Sequence, residues 1–295
     1  MTQNPGDSST SSVTTYQASV AANGDPAKSE SASLPSRSLY EACLDIRKKV
    51  DGFLAETPTT DLLRRTQLRV REALQVVEEA FQRYDPQELS ISYNGGKDCL
   101  VLLIIILAYL PRRYPPPNNN NSSKSPNGYT ESPRFPEKFK AVYIVSPHPF
   151  IEIDDFVLSS STDYQLDVTR YELGMKKGLE IYLAQHSDIK AIFVGTRRTD
   201  PHGEKLTHFD PTDGGWPDFM RIHPVIDWHY AEIWTFIRHL QIPYCPLYDQ
   251  GYTSLGGTKD TLPNPHLRKQ GMNGSGFRPA YELVGDDEER LGRDK

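Results

Sequence analysis

The chain has 295 residues, enough for one large domain or two small ones around a substantial core. A net charge of −6 argues against a general nucleic-acid binder, which carries a basic face. The longest apolar run, Cys99 to Leu110, falls short of the roughly 20 residues that cross a bilayer, so neither nucleic acid nor membrane is an expected partner. Three scattered cysteines, Cys43, Cys99 and Cys245, form no Cys-x-x-Cys pair and no disulfide framework. That usage points to a reducing compartment, and the cytoplasm is the expected location.

Residues 1–37 are rich in Ser, Thr, Ala and Gly without an apolar period, and are expected to form a disordered tail. Lys28 and Arg37 are their only basic residues, which gives little support to a presequence. Residues 38–295 read as a single domain. It starts at a capping box, Ser38 to Glu41, followed by Leu39, Cys43, Ile46, Val50 and Phe53 at helical spacing. A second helix is expected from Asp61 to Tyr84. A short strand, Glu88 to Tyr93, then runs into Asn94-Gly95-Gly96-Lys97-Asp98 and a fully apolar helix, Cys99 to Leu110. Residues 111–137, crowded with Pro, Asn and Ser, read as a mobile surface insertion. Beyond it the pattern predicts a strand at Phe139–Val145, a helix near Phe150–Ser160 and a strand at Tyr164–Thr169. A helix at Met175–His186, a buried strand at Lys190–Val194 and a strand at Met220–Val225 follow. The last helix is expected to be capped by Asp227 and to carry Ile233, Trp234, Ile237 and Leu240. Strands alternating with helices specify an α/β fold with a doubly wound, mostly parallel sheet and helices on both faces. Ligands in such sheets sit at the carboxyl ends of the strands, where the strand order reverses.

Three loops carry the candidate chemistry. A strand ending in Gly95-Gly96 and opening a helix aims backbone N–H groups and a helix dipole at one point, an arrangement suited to polyphosphate. Lys97 can add charge there, and Asn94 and Asp98 can hold a metal ion or orient a phosphate oxygen. A plain structural turn is the alternative, since neither G-x-x-x-x-G-K-[ST] nor G-x-G-x-x-G is present. The second loop, Gly195 to Pro201, follows a buried strand and offers Arg197 and Arg198 for phosphate oxygens, with Asp200 to orient a water or a metal-bound group. In the third loop, Phe209 to Arg221, Gly-Gly-Trp-Pro sets Trp216 on a rigid turn between Asp213 and Arg221. That indole serves either as a flat shelf for an aromatic ligand or as core filling. No histidine spacing suits a structural zinc, Gly274-Ser275-Gly276 looks like a hinge, and the charged run Asp286 to Arg293 reads as a solvated helix with Arg290 and Arg293 on one face.

Ser92-Tyr93-Asn94-Gly95-Gly96-Lys97-Asp98-Cys99 resembles the pyrophosphate-binding PP-loop of the ATP pyrophosphatase-like superfamily, in the form found in eukaryotic FAD synthases (FMN adenylyltransferases). The Gly-x-Arg-x-x-Asp-Pro loop and the Asp, Trp and Arg of the third loop match that family in order, over roughly Leu39 to Arg293. The resemblance implies an adenine nucleotide alpha hydrolase-like, PAPS reductase-like fold and a flavoprotein transferase of the shorter fungal type. Its reaction transfers AMP from ATP to the phosphate of FMN, giving FAD and pyrophosphate with Mg²⁺. It further implies Asn94, Asp98, Asp200, Arg290 and Arg293 as catalytic groups, with Asn94 and Asp98 nearest Mg²⁺. Tyr93, Gly95, Gly96, Lys97, Ile144, Gly195, Arg197 and Arg198 would contact ATP, its adenine against main chain near Tyr143–Val145. Asp213, Trp216 and Arg221 would hold the flavin, and residues 245–295 would fold over the site of a monomer.

The competing reading is a sulfonucleotide reductase, because Gly251-Tyr252-Thr253-Ser254-Leu255-Gly256 is similar to a stretch of those enzymes. Gly257 and Thr258 stand where a cysteine is wanted, and a thiosulfonate cannot form without a thiol. A flavin-binding module without catalysis leaves the glycine turn unexplained.

Overall fold

The computed structural model describes residues 13–15, 37–114, 135–269 and 276–293, the first three by backbone alone. Among the described residues seven strands form one sheet: β1 (Val13–Thr15), β2 (Leu89–Ser92), β3 (Phe139–Ile144), β4 (Leu166–Tyr171), β5 (Ala191–Phe193), β6 (Phe209–Pro211) and β7 (Met220–Ile222). Their order is β1-β4-β3-β2-β5-β7-β6. The inner strands pair parallel, and β1 and β6 close the two edges antiparallel. From β2 the chain winds outward through β3 and β4, then returns to the other side of β2 with β5. The strand order therefore reverses between β2 and β5.

Six α-helices among the described residues cover the sheet: α1 (Leu39–Ala55), α2 (Asp61–Arg83), α3 (Lys97–Arg113), α4 (Ile151–Asp163), α5 (Met175–Gln185) and α6 (Tyr230–His239). Strand residues divide by parity, as the pleat requires. Leu89, Ile91 and Tyr93 enter the large core with α1, α2, α3 and α6, and Ala141, Tyr143, Ala191 and Phe193 join them. Val142 and Ile192 point the other way, into a smaller core with Leu179 and Tyr182 of α5. Ser90 also faces α5, where its hydroxyl meets that of Tyr182 at 2.7 Å. Every residue of α3 from Cys99 to Leu110 is buried, which explains why this helix has no polar face.

The Ser38–Glu41 capping box forms as expected. Several boundaries move. Helix α3 runs to Arg113 and so takes in Pro111, three residues assigned to the insertion. A proline near a helix end loses only one backbone bond. Strand β4 begins two residues late, at Leu166, after Gln165 has turned the chain at φ +52°. Asp227 does not cap α6. A turn separates them, His229 takes the cap, and Glu232 accepts the His229 N–H at 2.9 Å. Strand β6 is an element the periodicity did not mark. Val13–Thr15 pairs with β4, so this part of the expected tail is ordered backbone. Residues 1–12 and 16–36 of that tail, 115–134 of the insertion and Gly274–Ser275 lie outside the described residues.

Candidate active site

The cleft opens where the strand order reverses. Gly95 adopts φ +71°, a left-handed conformation that costs glycine little, and this lets β2 turn sharply into α3. At the end of β5, a Cβ on Gly195 would come within 2.8 Å of the Cys99 nitrogen, so only glycine lets that loop lie against the first turn of α3. Between the two loops is a cavity of about 330 Å³. Asn94, Gly96, Lys97, Asp98, Gly195 and Asp200 line it from the loops, and Tyr248, Ser254, Glu289 and Arg290 close it from the C-terminal part of the chain.

Behind the wall lies a cluster of buried charges. Lys97 is 2% exposed, its ammonium 3.0 Å from Asp98 Oδ2 and also paired with Glu289. Arg197 is fully buried, with Nε 2.9 Å from Asp98 Oδ1 and Nη2 paired with Glu289. Asp200 and Asp286 stand further off, at 3.7 and 3.6 Å from the guanidinium. Burial disfavours the Lys97 ammonium, yet Asp98 and Glu289 overcome it and hold its pKa above normal. Burial likewise works against the Asp98 carboxylate, but Arg197 and Lys97 outweigh it, so Asp98 stays ionised with a lowered pKa. Asp200 goes the other way, raised by burial and by the neighbouring Asp98 charge. Two carboxylates at one cavity are thus driven apart in proton affinity.

Several expected contacts take a different form. The exposed Asn94 folds its amide oxygen back onto its own turn: Oδ1 accepts the Gly96 N–H at 3.0 Å and the Cys99 thiol at 2.9 Å, which fills its lone pairs and argues against metal ligation by this oxygen. The Lys97 N–H, expected to face an anion, is donated to the Tyr248 hydroxyl at 2.8 Å. The Tyr93 ring is core, its hydroxyl 2.9 Å from that of Ser160, and it does not line the cavity. Arg197 sits behind the cavity wall in the charge cluster, where its guanidinium is committed to carboxylates. Arg198 also points away: Asp227 takes its Nε at 2.7 Å, and the carbonyls of Glu204 and Leu206 take Nη1 at 3.0 and 2.9 Å. Ile144 ends β3 on the α5 side, packed over Gly178, outside the cavity.

The C-terminal arginines separate as well. Residues 286–292 form successive turns in place of the expected helix, and Arg293 bridges to Thr261. Arg290 reaches the cavity, 3.5 Å from Ser254 Oγ, whereas Arg293 lies over Gly256 and pairs with Asp260 at 3.3 Å.

Asp213, Trp216 and Arg221 come together on the β6–β7 hairpin. Arg221 Nη2 donates to the Pro211 carbonyl at 2.9 Å and Nη1 lies 3.5 Å from Asp213. Trp216 is 42% exposed, which removes the core-filling alternative. Strand β7 runs parallel to β5, so this loop leaves the sheet at its amino edge, while the cavity lies at the carboxyl edge. About 10 Å separate the edges, three residues at ~3.3 Å each.

Glu289, Tyr248 and Asp286 were not singled out in the sequence. Asp286 accepts the Tyr230 N–H at 2.7 Å, adding a carboxylate to the N-terminus of α6. A charge run at a terminus is usually solvated, and only the flanking Phe277–Leu283 stretch, with Ala280 and Leu283 buried, hinted that this one packs back.

A family model of the phosphoadenosine phosphosulfate reductase domain matches residues 88–263. The probable FAD synthase of Schizosaccharomyces pombe is 38% identical over 248 residues, 84% of this chain and 87% of that protein. The flavin adenine dinucleotide synthase of Saccharomyces cerevisiae is 34% identical over 247 residues, 79% of this chain and 77% of that protein. The crystal structure of Candida glabrata FMN adenylyltransferase with FMN and the ATP analogue AMPCPP is similar, with a TM-score of 0.77 and 29% identity over 87% of this chain and 100% of that one. With the glycine turn, the Gly195–Asp200 loop and Arg290 meeting at one cavity, these likenesses agree: the chain belongs to the FAD synthase family, on a phosphoadenosine phosphosulfate reductase-type domain.

Proposed function

We propose that this protein makes FAD, transferring AMP from ATP to the phosphate of FMN and releasing pyrophosphate. The observation that carries the reading is one cavity at the sheet's switch point, bounded by the glycine turn, Asp200 and Arg290, in a chain of this family. The triphosphate lies against the turn with Arg290 above it. The flavin ring rests on Trp216, and FMN spans from the β6–β7 hairpin to the cavity, which its phosphate reaches. No general base is required, because a phosphate monoester is already largely dianionic near neutral pH, with a second pKa of about 6. Catalysis is then positioning and charge neutralisation, as in phosphoryl transfer generally.

The residues present fit a hard divalent cation. Asp98 Oδ1 is buried at the cavity with no hydrogen-bond donor among the described residues, although Arg197 stands beside it. No group of three or more His, Cys, Asp or Glu side chains converges on a metal among those residues. Mg²⁺ would therefore be held by Asp98, with Asp200 nearby, and by substrate oxygens and water, its usual mode beside nucleotides. When bound it supplies neutralisation of the phosphate charge. The reductase alternative finds no reactive thiol among the described residues: Cys245 is fully buried, with its pKa pushed up to about 11, and Cys99, although it borders the cavity, is buried, donates to Asn94 Oδ1 and is pushed up to about 12.

The test is incubation of the purified protein with FMN, ATP and Mg²⁺, followed by chromatographic separation of flavins. FAD and pyrophosphate should appear in equal amounts. Absence of FAD would overturn the reading.

A further inference from the structure

Glu289 is 4% exposed, and its two oxygens divide between two buried cations, Oε1 on Lys97 Nζ and Oε2 on Arg197 Nη2. The same cations bracket Asp98, at 3.0 Å from Oδ2 and 2.9 Å from Oδ1. Asp98 and Glu289 therefore compete for Lys97 and Arg197. With both acids present, two cations meet two carboxylates. Without Glu289, Asp98 would be the one close carboxylate for both cations among the described residues, with Asp200 and Asp286 further off at 3.7 and 3.6 Å from Arg197, and a carboxylate clamped in that way has little negative potential left for a third positive group.

The backbone that carries Glu289 is anchored separately. Thr253 Oγ1 donates to the Glu289 carbonyl at 2.6 Å, Asn264 Nδ2 to the Glu288 carbonyl at 2.8 Å, and the Leu262 N–H to the Gly292 carbonyl at 2.8 Å. Those bonds hold the segment down whether or not residue 289 is charged. Backbone anchoring thus does not require a carboxylate at 289; what the carboxylate adds is the pairing of Lys97 and Arg197, whose buried charges would be costly unpaired.

We propose that Glu289 is a positioning residue for adenylyl transfer: it draws Lys97 and Arg197 toward itself and so leaves the Asp98 carboxylate free to engage the magnesium nucleotide in the cleft. This rests on the FAD synthase reading. The residue acts through Asp98, and its signature is a weaker advantage of magnesium ATP over ATP alone.

Three variants of the full chain separate charge from anchoring. Glu289→Gln keeps the shape and removes the charge. Glu289→Asp keeps the charge one methylene short. Thr253→Ala loosens the anchor with the charge in place. The measurements are kcat, KM for FMN, and calorimetric ATP binding with and without Mg²⁺. In Glu289→Gln, kcat should fall about 10²-fold, as for loss of a preorganised electrostatic group. Its KM for FMN should hold, metal-free ATP binding should persist or tighten, and the gain in affinity on adding Mg²⁺ should shrink. Glu289→Asp should fall between parent and Gln, while Thr253→Ala should lower the melting temperature and leave the Mg²⁺ gain intact.

An unchanged Mg²⁺ gain in Glu289→Gln, or a kcat within threefold of the parent, would overturn the proposal. If the Gln variant does not fold, the Asp variant decides: a reduced Mg²⁺ gain supports the proposal and an unchanged one overturns it. A parent that binds ATP yet forms no FAD would defeat the function reading, while the calorimetry would still judge Glu289.

Discussion

The cleft and the β6–β7 hairpin solve opposite problems. At the cleft, Lys97 and Arg197 are buried and tied to Asp98 and Glu289 before any substrate arrives, so the charges are fixed in advance. On the hairpin, Trp216 is exposed and Asp213 stands out in solvent, paired among the described residues with Arg221 alone, at 3.5 Å. Groups that stabilise developing charge gain from being preorganised in a low-dielectric setting. A surface that recognises a flat ring gains from staying accessible until the ring covers it. Damage to the buried charges of the cleft should therefore appear in kcat, and damage at the hairpin in flavin affinity.

The largest effect should come from Asp98→Asn, with kcat falling about 10³-fold, as when a key transition-state electrostatic contact is removed. Steady-state assays check this, and a loss of less than tenfold would blur the contrast. The variant should also melt lower, because removing one partner of a buried ion pair costs about 3–5 kcal/mol. Next, Arg290→Ala should raise the KM for ATP about tenfold, roughly 1.4 kcal/mol, while Arg293→Ala should act mainly on the melting temperature. Equal effects of the two on ATP would show that both reach the nucleotide. Trp216→Ala should weaken FMN binding about tenfold at nearly constant kcat, consistent with loss of an aromatic contact. Flavin fluorescence titration measures it, and an unchanged affinity would return the indole to a role without ligand.

The smallest effect at neutral pH concerns the buried His223 at the end of the hairpin strand. Burial and Arg221 depress its pKa to about 4, from 6.5. The unfolded chain thus binds this proton first as pH falls. Stability is fully present above pH 6.5, declines toward pH 4 and levels below it, by on the order of 3 kcal/mol. Urea melts across that range should show the decline in the parent and a flatter profile in His223→Gln. Parallel profiles would contradict the assignment.

The fold was largely legible because its strongest signals are local. The apolar run at Cys99–Leu110, the Ser38 cap and the strand–turn–helix at Gly95-Gly96 each follow from a few neighbouring residues. What escaped the reading depends on partners distant in sequence. The choice of Asp286 as the acid at the start of α6 needs a contact across 56 residues. Glu289 is catalytic scaffolding only because Lys97 and Arg197, 192 and 92 residues away, lie beneath it. Asn94 was assigned to metal, yet its side chain closes its own turn, a local competition that a list of donor types does not resolve. Of the adjacent arginines, Arg197 faces the buried cluster and Arg198 the surface, and their contiguity concealed the difference.

The central claim is that the Asn94–Asp98 turn receives the leaving pyrophosphate while Trp216 receives the flavin. A crystal structure with FMN and a non-hydrolysable ATP analogue tests it most directly. The expected result is the β and γ phosphates against that turn and Arg290, with the isoalloxazine ring on the indole. A triphosphate seated elsewhere with the turn empty would contradict it.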